Sequence, residues 1–113
     1  MKGKGTGVER IAAERQRQID ELGYTAKHDD KHDESELAMA AACYAAPERI
    51  YAHESTEPYE RFFDPFPWDE CDERPRDRYN ELKLPSLGQR IRLLEKAGAL
   101  IAAEIDRLLR VKP

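Results

Sequence analysis

SLGQRIRLLEKAGALIAAEIDRLLR, residues 86–110, is the longest stretch of the chain with a single periodicity, and its reading decides the fold. Leu87, Ile91, Leu94, Ala97, Gly98, Ile101, Ile105 and Leu108 recur at helical spacing, and Leu93 and Leu100 widen the stripe. Pro85-Ser86 marks the start, and Ser86-x-x-Gln89 has the spacing of a capping box, in which each residue satisfies a free backbone N–H of the other. A helix over 86–110 is about 38 Å long at 1.5 Å per residue. Gly98 inside it costs roughly 1 kcal/mol against alanine, which predicts close approach of another helix. So wide an apolar arc needs two partners, one of them another subunit, and predicts a homo-oligomer, most simply a dimer.

Two further helices are expected upstream. Thr6-x-x-Glu9 is a second capping box, and Leu22-Gly23 supplies a left-handed stop, which predicts a helix over 7–22. Val8, Ile11, Ala12, Ile19 and Leu22 fall on one face of it. Asp33-x-x-Glu36 has capping-box spacing and Pro47 ends the run, which predicts a helix over 34–46. Leu37, Ala38, Ala40, Ala41, Cys43, Tyr44 and Ala45 make that helix apolar almost all round, the pattern of a buried element. Residues 47–85 hold six of the seven prolines. That insert is expected to be irregular, with short helical turns at 47–51 and 75–83, and with Phe62, Phe63, Phe66 and Trp68 packed as a lid on the helices. No strand pattern competes. The expected fold is all-α: one domain over 1–113, a dimeric bundle of three main helices with an irregular insert.

Composition excludes several classes of function. The chain has 113 residues, 40% hydrophobic and 37% charged, with a net charge of −4. That leaves little for a core and no basic face for the phosphates of duplex nucleic acid. No apolar run approaches the roughly 18 residues of a membrane helix, and MKGKGTG lacks the apolar stretch of a secretory signal. Cys43 and Cys71 form no CxxC pair and read as reduced thiols, Cys43 as a small core residue. A cytoplasmic protein is expected.

Some charges sit where apolar residues belong. With Leu94 at zero on a helical wheel, Glu104 falls about 80° away, inside the apolar arc. Glu95 and Asp106 lie together on its other border, and Arg15 lies between Ile11 and Ile19. Either these charges pair structurally, Arg15 with Glu104, Glu34 or Glu36, or they line a polar pocket between helices. In such a pocket carboxylates would hold a cation and arginine an anion. His28, Asp29, Asp30, His32, Asp33, Glu34 and Glu36 pose the same choice. They form either a solvated helix start favoured by the helix dipole or a metal cluster, without a fixed spacing such as HExxH. Neither a nucleophile signature nor a glycine-rich phosphate loop is present.

The stretches IAAERQRQIDELGYTAKHDD (11–30), ELAMAAACYA (36–45), PFPWDE (65–70) and EKAGALIAAEIDRL (95–108) together resemble a family of small, largely uncharacterised bacteriophage and prophage proteins. The resemblance implies a phage-encoded protein acting in the bacterial cytoplasm. ESELAMAA (34–41) also resembles the acidic second helix of the all-α nucleoside-triphosphate pyrophosphohydrolases, the MazG-like enzymes and dimeric dUTPases, although Glu34 and Glu36 are spaced ExE where that family has ExxE. This second resemblance implies Mg²⁺ held by Glu34, Glu36, Glu95 and Glu104, without the imidazoles of His28 and His32, and water attack between the α and β phosphates. Arg15 or Arg90 would neutralise phosphate, and Tyr24 or Trp68 would stack on a base. The expected function is therefore nucleotide binding or nucleotide pyrophosphohydrolysis. The alternative is a non-catalytic phage protein that inhibits a host defence system or host enzyme through its acidic insert, residues 54–81. A structural role in the virion ranks third.

Overall fold

The computed structural model describes residues 5–68 and 70–111. Asp69 of the insert, and residues 1–4 of the stretch read for a secretory signal, lie outside the described residues. The chain runs α1 (Gly7–Leu22), α2 (Ala26–Asp29), α3 (Glu36–Ala45), β1 (Ala52–Thr56), β2 (Tyr59–Phe63) and α4 (Leu87–Arg110).

α1 and α4 begin where their capping residues place them. The Thr6 hydroxyl accepts from the Glu9 N–H while the Glu9 carboxylate accepts from the Thr6 N–H at 2.9 Å, and Ser86 and Gln89 do the same for α4. Gly23 closes α1 in the left-handed region at φ 73°. α3 is shorter than 34–46. Its cap is Ser35, at φ 66°, and the Asp33 capping box does not form. Instead the Glu36 carboxylate reaches back past the cap and accepts from the Glu34 N–H at 2.6 Å. The single turn of α2, capped by Thr25, lies between α1 and α3.

The all-α expectation is wrong. β1 and β2 form an antiparallel hairpin with register Ala52↔Phe63 to Thr56↔Tyr59, closed by Glu57-Pro58, whose peptide bond is cis. The helical turns expected at 47–51 and 75–83 do not form either. Arg76 pairs with Leu82 in an isolated antiparallel bridge, with Asn80 at positive φ in the turn between them. The physical reason is that residues outside Ala52 and Phe63 are exposed on both faces of the hairpin. The alternation that betrays a strand arises from burying one face, and here neither face is covered.

The core is built of small side chains. Leu37, Ala40, Ala41 and Tyr44 of α3 pack on Leu93, Ala97, Leu100 and Ala103 of α4, and Phe66 and Trp68 of the insert pack against that cluster. The expected aromatic lid is therefore only half formed, because Phe62 stands on the hairpin and is exposed. α3 is not buried all round, since Ala38, Met39 and Ala42 face outward. Arg90 of α4 ends α3 by donating to the carbonyls of Tyr44 (3.3 Å), Ala45 and Ala46 (3.1 Å). Those carbonyls have no partner within the helix, and a guanidinium beside them also suits the negative end of the dipole.

α1 approaches α4 at Gly98, as the glycine predicts. A Cβ there would lie 2.6 Å from Ile11 Cδ1 and 2.8 Å from its Cγ1. Gly98→Ala should gain roughly 1 kcal/mol of helix propensity and lose about 1–3 kcal/mol to the overlap. Denaturant melts are expected to show net destabilisation. The same substitution in an Ile11→Ala background should be stabilising, which isolates the overlap as the cause.

Candidate functional site

The inward edge of α1 is polar. Glu14 and Gln18, one turn apart, are 2% and 3% exposed, while the apolar residues of the helix lie to one side of them. Arg17 holds the Glu14 carboxylate with two bonds, Nε to Oε1 at 2.8 Å and Nη2 to Oε2 at 2.9 Å. From α4, Arg92 meets Oε1, and Lys96 Nζ stands 3.7 Å from Oε2. Lys96, itself buried, bridges on to Glu73 of the insert. Gln18 Nε2 donates to Glu14 Oε2 at 3.3 Å, whereas Gln18 Oε1 has no hydrogen-bond partner. Burial alone would raise the Glu14 pKa, but the bonds from Arg17 and Arg92 and the charge of Lys96 outweigh it and hold the carboxyl at about 2.

Gln18, Lys96, Tyr24, Tyr44, Trp68 and Leu100 line a cavity of about 100 Å³ beside this network. The Tyr44 hydroxyl donates to the Cys71 carbonyl at 3.0 Å and accepts from the Glu73 N–H at 3.2 Å. Burial pushes the Tyr24 phenol up to about 12, helped by the Cys71 thiol and the Glu73 carboxylate, so it stays protonated. The cavity thus offers a free acceptor, an ammonium and aromatic walls. Its volume suits a few water molecules, for which Gln18 Oε1 is a ready acceptor. It is well below the roughly 300 Å³ at which pockets begin to take a nucleotide-sized ligand.

The residues expected to hold Mg²⁺ are dispersed. Glu95 accepts from Arg10 Nε at 2.8 Å and Arg92 Nη1 at 2.9 Å. Glu104 accepts from Arg107 Nε at 2.6 Å. The two carboxylates are nine residues apart on one helix, roughly 13 Å along its axis. Glu36 is held by the Glu34 N–H and by His32 Nδ1 at 3.1 Å, and Glu34 is exposed. Among the described residues, no group of three or more His, Cys, Asp or Glu is placed to hold a metal ion.

The expected ligand-binding residues are also tied up in the fold. Arg15 pairs neither with Glu104 nor with Glu34 or Glu36. It donates to the Tyr24 carbonyl at 3.1 Å and to Asp29 Oδ2 at 3.1 Å. Asp29 is fully buried and also meets His28 Nδ1 at 3.0 Å. Arg90 closes α3. Tyr24 stacks on His28 with centroids 4.6 Å apart, His28 stands edge-on to His32 at 4.9 Å, and His32 edge-on to Trp68 at 5.3 Å. The acidic, histidine-rich stretch is thus more than a solvated helix start. Its imidazoles extend the aromatic packing of the insert.

Sequence reading placed Gln18, with Arg15, in the apolar stripe of α1 but missed Glu14 and Lys96, with which Gln18 forms the most deeply enclosed polar group of α1 and α4. A signal was there in part: Glu14 and Gln18 are four apart, as are Arg92 and Lys96, and the two pairs carry complementary charge. No family model, curated protein or solved structure matches the chain. No helix among the described residues is long and apolar enough to cross a membrane.

Glu14 has a folded pKa near 2 against an ordinary value of 4.5. Its contribution to stability is therefore complete above pH 4.5 and lost as pH falls from there to 2. Glu14→Gln at neutral pH should cost about 3 kcal/mol, because Arg17, Arg92 and Lys96 lose a shared partner. Chemical melts from pH 7 to pH 2 are expected to show the two proteins converging at the acid end.

Proposed function

We propose that this protein is a non-catalytic interaction protein and that the β1–β2 hairpin is the arm with which it grips a protein partner. The observation that carries this reading is the hairpin itself. Its strands pair with each other and make little contact with any helix. Tyr51, Tyr59 and Phe62 are exposed along it. Such aromatics are the side chains that anchor interfaces, and the unpaired outer edges can extend a partner's sheet. The surrounding insert, residues 47–85, has eleven Asp and Glu against six Lys and Arg, which favours a basic partner surface. Together with the resemblance to phage proteins, this points to a host protein met in the bacterial cytoplasm, either a defence component or an enzyme.

The competing reading is a Mg²⁺-dependent nucleotide-binding or pyrophosphohydrolase-like protein. It requires carboxylates that converge on a metal, and Glu95 and Glu104 instead neutralise arginines. Two experiments separate the readings. Thermal shift with Mg²⁺ and a panel of nucleoside triphosphates is expected to give no change, and a Mg²⁺-dependent nucleotide shift would restore the enzyme reading. Replacing residues 53–62 by a short Gly-Ser link should leave stability within about 0.5 kcal/mol, the usual range for surface changes. It should also abolish capture of the partner from bacterial extract. Capture that survives the replacement would remove the hairpin from the interface.

A further inference from the structure

α4 is apolar on two sides. Leu93, Ala97 and Leu100 enter the core, but much of the stripe that helical periodicity assigns to a core faces solvent. On α4, Leu87 is 79% exposed, and Ile91, Leu94, Ile101, Ile105 and Leu108 are between 41% and 53% exposed. The buried residues of α4 lie on the opposite side and include Lys96, Glu104 and Arg107. On α1, Val8 is 79% exposed, whereas Glu14 and Gln18 point inward and Leu22 lines the cavity with Leu100. Ile11 of α1 packs on Gly98 within the α4 stripe. The molecule is correspondingly flat, 53 × 43 × 20 Å, with a radius of gyration of 15.6 Å. A compact chain of this length has a radius of about 13 Å.

We infer that this surface is the interface with a second copy of the same chain, and that α4 packs against α4 of the partner across a two-fold axis. This goes beyond the partner-binding reading and does not depend on it. Three observations favour a second copy over another occupant. The α4 positions 87, 91, 94, 98, 101, 105 and 108 are spaced four and three in strict alternation. That is the self-complementary seam of two helices packed knobs into holes. No charged side chain stands at those positions, and at Gly98 Ile11 of the same chain fills the place of a knob. The seven exposed side chains, Val8 and six of α4, present on the order of 600 Å² of apolar surface, at the upper end of the ~300–600 Å² of a monomer's largest patch and approaching the ~800 Å² that each partner of a stable pair buries. A two-fold pair supplies the second layer that the flat monomer lacks.

Sedimentation equilibrium at micromolar concentration tests this. The wild type should show twice the 13.0 kDa chain mass. Ile101→Glu with Ile105→Glu should sediment as a single chain while keeping the helical circular dichroism signal, because both side chains already tolerate water. Leu108→Glu, near the end of α4, provides a second variant that leaves the middle of the helix intact and should also weaken the pair. The chain lacking its hairpin should remain paired. A wild type at single-chain mass would overturn the inference. So would folded seam variants that keep the double mass, or loss of pairing with the hairpin alone, which would move the interface to the strand edges.

Discussion

The Glu14 carboxylate is the point at which α1, α4 and the insert are held to one another. The apolar core cannot do this alone. Five of its buried residues are alanines on α3 and α4, and each adds only about 0.8 kcal/mol for its methyl group. α1 adds little beyond Ile11 against Gly98. Once Glu14 is enclosed, however, it must keep its partners, since an unpaired buried charge costs several kcal/mol. Arg92 and Lys96 lie one turn apart on α4, so they fix both the height and the rotation of α1. Arg10 on Glu95 repeats the constraint one turn away. Such a network does less for net stability than for selecting one arrangement among the many that a thin alanine core would accept.

The insert follows from the same logic. Lys96 passes the constraint to Glu73, whose N–H is held by the Tyr44 hydroxyl. Arg74 then gathers the flanking chain, bonding Asp64 and Asp72 at 2.8 and 2.7 Å and lying 4.7 Å over the Phe66 ring. Burial pushes the two aspartates' pKa values up and the arginine pushes them down more strongly, so both stay ionised below the ordinary carboxylate range. A stretch without regular secondary structure can be ordered in this way because its buried polar groups find partners in side chains. The same guanidinium chemistry closes α3 through Arg90 and ties Asp30 of the α2 end to Arg110 of α4. Arginine here does what backbone ladders do in a more regular protein.

What could be read in the sequence was whatever local chemistry dictates. The two capping boxes and Gly23 placed α1 and the start of α4, and Gly98 announced a close neighbour. Glu104 was legible as a charge inside an apolar arc, and its partner proved to be Arg107, one turn along the same helix. The failures have a common cause. Asp33-x-x-Glu36 has the spacing of a cap, but Ser35 takes the left-handed position and moves the helix start. The hairpin has no covered face and so no alternation. Of the carboxylates read as metal ligands, Glu36, Glu95 and Glu104 each meet an arginine or histidine, and only tertiary placement reveals which charges meet. Most instructive is α4, where periodicity identified the apolar arc and the folded single chain buries Leu93, Ala97 and Leu100 of it but leaves Leu94, Ile101 and Ile105 exposed.

That mismatch also bears on how the two proposed surfaces coexist. Around α4, Lys96 and Leu100 face the cavity and the insert, whereas Leu94, Ile101 and Ile105 lie on the other side of the helix. The inferred two-fold pair would carry two acidic, aromatic hairpins. Two arms meeting a partner with repeated or paired sites convert the second binding event into an intramolecular one, and avidity can then exceed the affinity of one arm by about 10²–10⁴-fold without any new contact. A single hairpin of five-residue strands is a small interface for a host protein. The pairing inferred through α4 would let so short a chain overcome that limit, and would put to use the apolar surface that the single chain leaves in water.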